Sequence, residues 1–317
     1  MLKTGRKMEK VSFVIPCYRS ALTLPAVVAE IDAAMASLTQ YEYEIVLVND
    51  SSPDDTYSVI RKLALSHDHV TGVNLARNFG QHAALMAGFA QVTGDIVVCL
   101  DDDGQTPASQ VGRLLAAIEE GHDAVYARYE HKMHSGFRNF GSRVNDLMLR
   151  SMLNKPKDLH VTSYFAIRRF IVDEILNYRN AYPYVIGLVL RTTKDIVNVD
   201  VDHRERMNGK SGYTLRKLIA LWMNGFTAFS IKPLRISTGI GCLCAIGGFV
   251  YMLYTIIRHF VDHAAPIGYA SLISALLFIG GMIMLMLGLV GEYLGRIYIC
   301  MNNSPQYVIR DIVRKDN

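Results

Sequence analysis

The chain has 317 residues, half of them hydrophobic, with 33 Lys and Arg against 29 Asp and Glu for a formal charge of +4. That length holds one α/β domain of ordinary size plus a further element, and the small positive balance, with no arginine-rich stripe among aromatics, argues against a nucleic-acid partner. Five cysteines, Cys17, Cys99, Cys242, Cys244 and Cys300, are odd in number and lack metal-ligand spacing, which favours a reducing, cytosolic setting.

The basic N-terminus leads into an apolar run, Val11 to Pro16, that is too short for the apolar region of a signal peptide. It predicts a first strand over Val11–Ile15, broken by Pro16. Ala-rich Leu24–Leu38 carries apolar residues at helical spacing, and Glu44–Val48 (EIVLV) predicts a second strand that runs into Asn49, Asp50 and the acidic stretch to Thr56. A helix over Thr56–Ser66, a strand over Val70–Leu75, a helix over Gln81–Val92 and a strand over Ile96–Leu100 follow. Strands and helices alternating through short connections predict a doubly wound, mainly parallel α/β sheet.

The stretch Asp95–Pro107, DIVVCLDDDGQTP, is central. Its unbroken apolar run suits a strand buried on both faces, so Asp101, Asp102 and Asp103 fall at the carboxyl end, where open α/β sheets bind ligands. Alternate carboxylates there, Asp101 and Asp103, can converge on a hard cation that brings phosphates with it. The other reading is a solvated acidic turn ahead of the helix that Pro107 begins. Neither a GxGxxG nor a GxxxxGK[ST] loop occurs, so a nucleotide diphosphate would be held through carboxylates and a bridging metal, with Asp50 accepting from base or ribose. Arg77 and the amide of Gln81, in ARNFGQHAALMAGF, supply opposite polarity; His82 reads as a helix N-terminal residue without a role.

Beyond a helix over Pro107–Glu120 and a strand over Ala124–Arg128, the pattern changes. Arg128, Lys132, Arg138 and Arg143 lie beside an amphipathic stretch, which suits an anionic headgroup or, equally, a solvated basic loop. Asp158–Arg169 has a strand-like centre and Val197–Val201 another. The polar run Asp202–Tyr213 precedes an amphipathic helix over Leu215–Phe229 suited to a membrane interface. Ile236–Ile257 and Leu272–Val290 are free of formal charge and each reaches the roughly 20 residues needed to cross a bilayer. Cations crowd both outer flanks and not the loop between, which places both flanks in the cytosol. Glu292 and Arg296 suit a helical pair just past the second span. Glycines at 239, 241, 247, 248, 280 and 281 permit close helix approach, and with it a homo-oligomer such as a tetramer.

In their order and spacing VSFVIPCY, VNDSSPDDT, LARNFGQHAALMAGF, LDDDGQTP, RMNGKSGY and GEYLGRIY with PQYVI resemble family 2 glycosyltransferases of the polyprenyl-phosphate type, over almost the whole chain. That group includes dolichol-phosphate mannose synthase and the bactoprenol glucosyltransferases. The resemblance implies a GT-A catalytic domain over 1–213, an amphipathic interface helix over 214–235, two transmembrane helices over 236–299 and a cytosolic tail over 300–317, in a multi-pass protein of the cytoplasmic membrane. It implies a metal-dependent, inverting transfer of a sugar from a nucleotide donor, a UDP-sugar by preference, to polyprenyl phosphate, undecaprenyl phosphate in a bacterium, for modifying cell-envelope glycans. Asp101, Asp103 and Gln105 would hold Mg²⁺ or Mn²⁺ and the diphosphate. Asp101, Asp103 and Arg206 would be catalytic, while Pro16, Tyr18, Asp50, Arg77 and Asp102 would line the nucleotide sugar. Arg128, Arg138, Arg143, Ser211 and Tyr213 would meet the acceptor phosphate. Two departures stand out: Arg19 and Ser20 replace a common Asn-Glu, and NDSS replaces NDGS. A processive polysaccharide synthase fits less well, because the sole tryptophan, Trp222, sits in LIALW and not in QxxRW, and two spans make no channel. A non-catalytic membrane scaffold would be expected to have lost Asp101, Asp103 and Gln105.

Overall fold

The computed structural model describes residues 8–129, 150, 155–156, 158–202, 234, scattered positions between 238 and 257, 269–302 and 304–315. Two compact units divide the chain, residues 1–218 with 303–317, and residues 219–302.

In the first unit the chain runs β1 (Glu9–Cys17), α1 (Leu24–Ala36), β2 (Tyr41–Asn49), α2 (Thr56–Ser66), β3 (Val70–Leu75), α3 (Gln81–Phe89), β4 (Ile96–Cys99), a 3₁₀ turn (Ala108–Gln110), α4 (Val111–Glu119) and β5 (Ala124–Tyr129). After the undescribed stretch come β6 (Phe165–Arg168), α5 (Arg169–Leu176), α6 (Val185–Thr192), β7 (Ile196–Val201) and, at the C-terminal end, β8 (Ile309–Val313). The sheet order is β7-β5-β6-β4-β1-β2-β3-β8. Around β1 the pairing is parallel to β2 and to β4, and β2 is parallel to β3, while β6 and β8 are antiparallel to their neighbours. From β1 the chain winds outward through β2 and β3, then crosses back to lay β4 on the other side of β1. Such a reversal opens a crevice at the carboxyl ends of the two strands.

Alternation along the strands sorts side chains to two layers. Val11, Phe13, Ile15 and Cys17 of β1 join Ile96 and Val98 of β4 in a core with α1, α2 and α4, all of them buried. Val14 faces the other way, onto α3, and there the helix approaches so closely that a Cβ at Gly88 would lie 2.4 Å from Val14 Cγ1. Fully burying each large apolar side chain contributes about 1.5–3 kcal/mol. α2 begins where Asp54 Oδ1 accepts from the Thr56 backbone N–H at 3.2 Å and its hydroxyl at 2.6 Å.

Several expectations change. Pro16 does not break β1, which continues to Cys17 in register with β2. The reason is directional: Lys10 and Val14 turn their carbonyls toward β4, so Pro16 presents its missing N–H on that side, where β4 has already ended at Cys99. The helix expected from Pro107 starts as a 3₁₀ turn and becomes α-helical only at Val111. Only Phe165–Arg168 of the expected strand region around Asp158–Arg169 is a strand, and Arg169 already begins α5. Residues expected as a cytosolic tail include β8, which adds the outermost strand beside β3.

In the second unit α7 (Tyr269–Met301) runs for 33 residues, through the expected end at Val290 and past Glu292 and Arg296. Its segment Phe278–Met301 is, among the described residues, the one helix long and apolar enough to cross a membrane. The two spans expected from sequence are thus seen as one qualifying helix, with scattered helical positions between 238 and 257. A Cβ at Gly241 would sit 2.4 Å from Met286 Cε, so that glycine marks a close approach to α7 within the chain. The interface helix expected over 215–229 lies outside the described residues.

Candidate active site

Three loops at the carboxyl ends of β1, β2 and β4, together with the β3–α3 loop, form the rim of the crevice. Asp50 follows β2 directly and is buried. Its carboxylate accepts from the backbone N–H of Phe79 (2.7 Å) and of Gly80 (2.9 Å), while its carbonyl accepts from Asn78 Nδ2 at 3.2 Å. Gly80 takes φ +91°, a conformation that suits glycine, and its carbonyl receives the first bond of α3 from Ala84. Burial pushes the Asp50 carboxyl above its ordinary pKa against the pull of the two N–H groups.

The three consecutive aspartates part ways. Asp101 turns toward α3, where Gln81 Nε2 donates to its Oδ1 at 3.0 Å, and Ser163 Oγ donates to its Oδ2. Asp102 turns to the opposite layer: its Oδ2 accepts from the Tyr18 N–H at 2.9 Å, and its carbonyl accepts from the Thr23 hydroxyl at 2.6 Å. Burial raises its pKa, and through the Tyr18 N–H this carboxyl fastens the β1–α1 loop. Asp103 Oδ1 accepts from the Gln105 N–H at 3.1 Å, closing the short loop that brings Gln105 back beside it.

Pro16 is the penultimate residue of β1, and Tyr18, 45% exposed, follows the strand. Arg19, one of the two departures from the family pattern, adopts φ +59° and donates its N–H to Ser52 Oγ at 2.8 Å, while the Ser20 N–H reaches Thr56 Oγ1 at 2.9 Å. Ser51 also has positive φ, +50°. Two non-glycine residues in this region store local strain that the surrounding bonds hold in place. Arg77 is exposed and lays its guanidinium 4.5 Å from the Phe79 ring centroid, on the loop that clamps Asp50. Arg128, near the carboxyl end of β5, forms a two-point pair with Asp200 on β7 (Nε to Oδ1 2.5 Å, Nη2 to Oδ2 2.8 Å). Arg138, Arg143, Arg206, Ser211 and Tyr213 lie outside the described residues.

Two neighbours of the aspartates went unread in the sequence. Ser163 carried no signal, lying inside a strand-like run. Tyr129 ends β5, whose carboxyl end shares the edge of β4, so its position could have drawn notice. Burial, with added repulsion from Asp101 and Asp103, pushes its hydroxyl up to about 12. His82 is pushed down to about 4 by burial and packs edge-on against Tyr184, centroids 4.9 Å apart, in keeping with a neutral packing residue.

A mainly parallel sheet with acidic loops at a topological switch point is the architecture of GT-A nucleotide-sugar transferases. The chain belongs to glycosyl transferase family 2: that family's pattern matches residues 12–176, and a second, the GtrB C-terminal hairpin, matches 232–297. It is 34% identical over 316 residues, 98% of this chain and 96% of the relative, to the undecaprenyl-phosphate 4-deoxy-4-formamido-L-arabinose transferase of Proteus mirabilis. The transferase of that name from Yersinia enterocolitica is also 34% identical, over 315 residues with the same coverage. Among solved structures, glucosyl-3-phosphoglycerate synthase from Mycobacterium tuberculosis in complex with Mn²⁺, UDP-glucose and phosphoglyceric acid superposes with a TM-score of 0.50 at 21% identity, covering 67% of this chain and 76% of that one. At that identity it is the fold that is shared.

Proposed function

We propose that the protein transfers a sugar from a UDP-sugar to undecaprenyl phosphate with inversion at the anomeric carbon, yielding a polyprenyl-phosphate sugar for envelope glycan modification. The observation that carries this reading is similarity to undecaprenyl-phosphate sugar transferases along 98% of the chain, with Asp101 and Asp103 at the carboxyl end of β4.

A divalent ion fits the donor set. Asp101 and Asp103 offer hard carboxylate oxygens, and Gln105 an amide oxygen beside them. Two carboxylates and an amide suit Mg²⁺ or Mn²⁺, ions that keep waters and share phosphate oxygens. When bound, such an ion neutralises charge on the departing diphosphate. The chain's own groups do the rest. Gln81 and Ser163 orient Asp101; Asp50, with Pro16, Tyr18 and Arg77, frames the nucleotide; Asp102 keeps Tyr18 in place. A phosphate oxygen of the lipid forms the new bond to the anomeric carbon as the sugar–diphosphate bond breaks, its electron pair leaving with UDP. The monoester is largely ionised near neutral pH, so a strong general base is not needed. Arg206 is assigned to the leaving phosphates, and Arg128, Arg138, Arg143, Ser211 and Tyr213 to the acceptor phosphate.

The finer division of the chain is part of the same proposal: a catalytic domain to residue 213, an interface helix, and two spans over 236–299, with the catalytic domain and both termini cytosolic. Chain topology supports two crossings. β8 belongs to the same sheet as β1–β7, so the segment between leaves and returns to one unit, and a chain that starts and finishes on one side of a bilayer crosses it an even number of times. One qualifying helix then calls for a second. In a cysteine-free background, Ala264→Cys is expected to react with an impermeant maleimide added outside intact cells; labelling only after lysis would reject the two-span topology.

The activity test uses purified full-length protein with undecaprenyl phosphate, Mn²⁺ or Mg²⁺ and a panel of UDP-sugars that includes 4-deoxy-4-formamido-L-arabinose. A lipid product heavier by one glycosyl residue, lost with EDTA and regained with excess metal, is expected by mass spectrometry. Donor hydrolysis without lipid glycosylation, or a polymeric product, contradicts the proposal.

A further inference from the structure

A chain of polar contacts crosses the sheet from its last strand to the Asp50 loop. Asn74 of β3 and Asp311 of β8 are cross-strand partners. Asp311 Oδ1 accepts from Asn74 Nδ2 at 2.9 Å, and its Oδ2 accepts from the Tyr57 hydroxyl on α2. Asn74 Oδ1 in turn accepts from Asn49 Nδ2 at 2.9 Å, and Asn49 Oδ1 accepts from the Ser52 N–H at 3.2 Å. Both asparagines are buried.

The direction of this relay follows from its end group. An ionised carboxylate only accepts, so Asn74 must turn its NH₂ toward Asp311 and its carbonyl toward Asn49. Asn49 must then offer its own NH₂ to Asn74, which leaves its carbonyl for Ser52. Ser52 lies next to Ser51 with its φ of +50°, and its hydroxyl accepts from the Arg19 N–H. A second contact, from the residue just ahead of β8, reaches the other side of Asp50. The Val308 carbonyl accepts from the Ala76 N–H at 2.8 Å, at the start of the loop whose Phe79 and Gly80 N–H groups hold the Asp50 carboxylate.

We propose that Asp311 is a positioning residue for donor binding: through Asn74 and Asn49 it fixes the 49–52 loop, and with it the placement of Asp50 toward the nucleotide. The family pattern ends at residue 176, well before this aspartate. The inference rests on the reading of Asp50 as part of the donor site.

The test uses the full-length protein, with UDP and Mn²⁺ as the probe, by titration calorimetry, and amide hydrogen exchange on the peptide covering 49–56. Asp311→Ala is expected to weaken UDP binding about tenfold, since a buried amide loses its partner, and to speed exchange at 49–56. Asp311→Asn keeps the volume and one acceptor oxygen but frees the direction of the relay, so an intermediate loss is expected, expressed more in donor KM than in kcat. Wild-type affinity and wild-type exchange in a folded Asp311→Asn protein would overturn the inference, and this variant decides if Asp311→Ala does not fold. If the wild-type protein itself fails to bind UDP, the donor reading falls, while exchange at 49–56 in Asp311→Asn still decides whether Asp311 holds the loop.

Discussion

Asp103→Asn is expected to lower turnover by about 10²–10³-fold, a size typical of losing one group that stabilises transition-state charge. The substitution is chosen because asparagine keeps a side-chain oxygen able to accept from the Gln105 N–H, as Asp103 Oδ1 does at 3.1 Å. The loop therefore stays closed while the negative charge is removed. UDP affinity should fall less than turnover, since Asp50, proposed to frame the nucleotide, is held by the Phe79 and Gly80 N–H groups and not by that charge. Single-turnover measurement with purified undecaprenyl phosphate separates the two, and a near-normal rate would remove Asp103 from the catalytic assignment.

Gly88→Val is expected to cost about 2–3 kcal/mol of stability. A Cβ there would lie 2.4 Å from Val14 Cγ1 and 3.2 Å from Val48 Cγ2, in a layer where both strands are buried and unable to retreat. The gain from replacing glycine within a helix is only a few tenths of a kcal/mol for valine. The apparent melting temperature of the detergent-solubilised protein should fall by several degrees. Adding Val14→Ala opens space at the point of overlap, so the double variant should be more stable than Gly88→Val alone. Strictly additive losses would mean that the two positions do not meet as the packing indicates.

The readable parts of this chain were those where one local rule acts alone. α2 and β3 fall at their expected bounds because each is short, periodic and flanked by turn residues. Asp50 and Asp101–Asp103 were legible as strand ends because an apolar run stops abruptly at a carboxylate. What the sequence hid depends on partners far along the chain. VIGLVLRT over Val185–Thr192 is rich in β-branched residues and β-like in composition, yet packing against α3 and α5 makes it a helix. The division of labour among the three aspartates was also hidden. Which one faces Gln81 and which one holds Tyr18 is set by the layer each faces, and spacing alone cannot announce where a loop turns. β8 was least legible, since IRDIV in a charged terminus gains its meaning only from the exposed edge of β3, more than 230 positions away in the chain.

That last strand sets the order in which the molecule can be completed. During synthesis β3 emerges early, yet its outer hydrogen-bonding edge stays bare until residues 219–302 have been made and Ile309–Val313 has followed them. A bare edge is a template for wrong pairing. Truncating the gene ahead of residue 219 to obtain a water-soluble enzyme would therefore leave that edge permanently open and invite aggregation. Excising 219–302 and rejoining the flanks through a flexible linker keeps the strand, and is the more promising route to a detergent-free catalytic fragment.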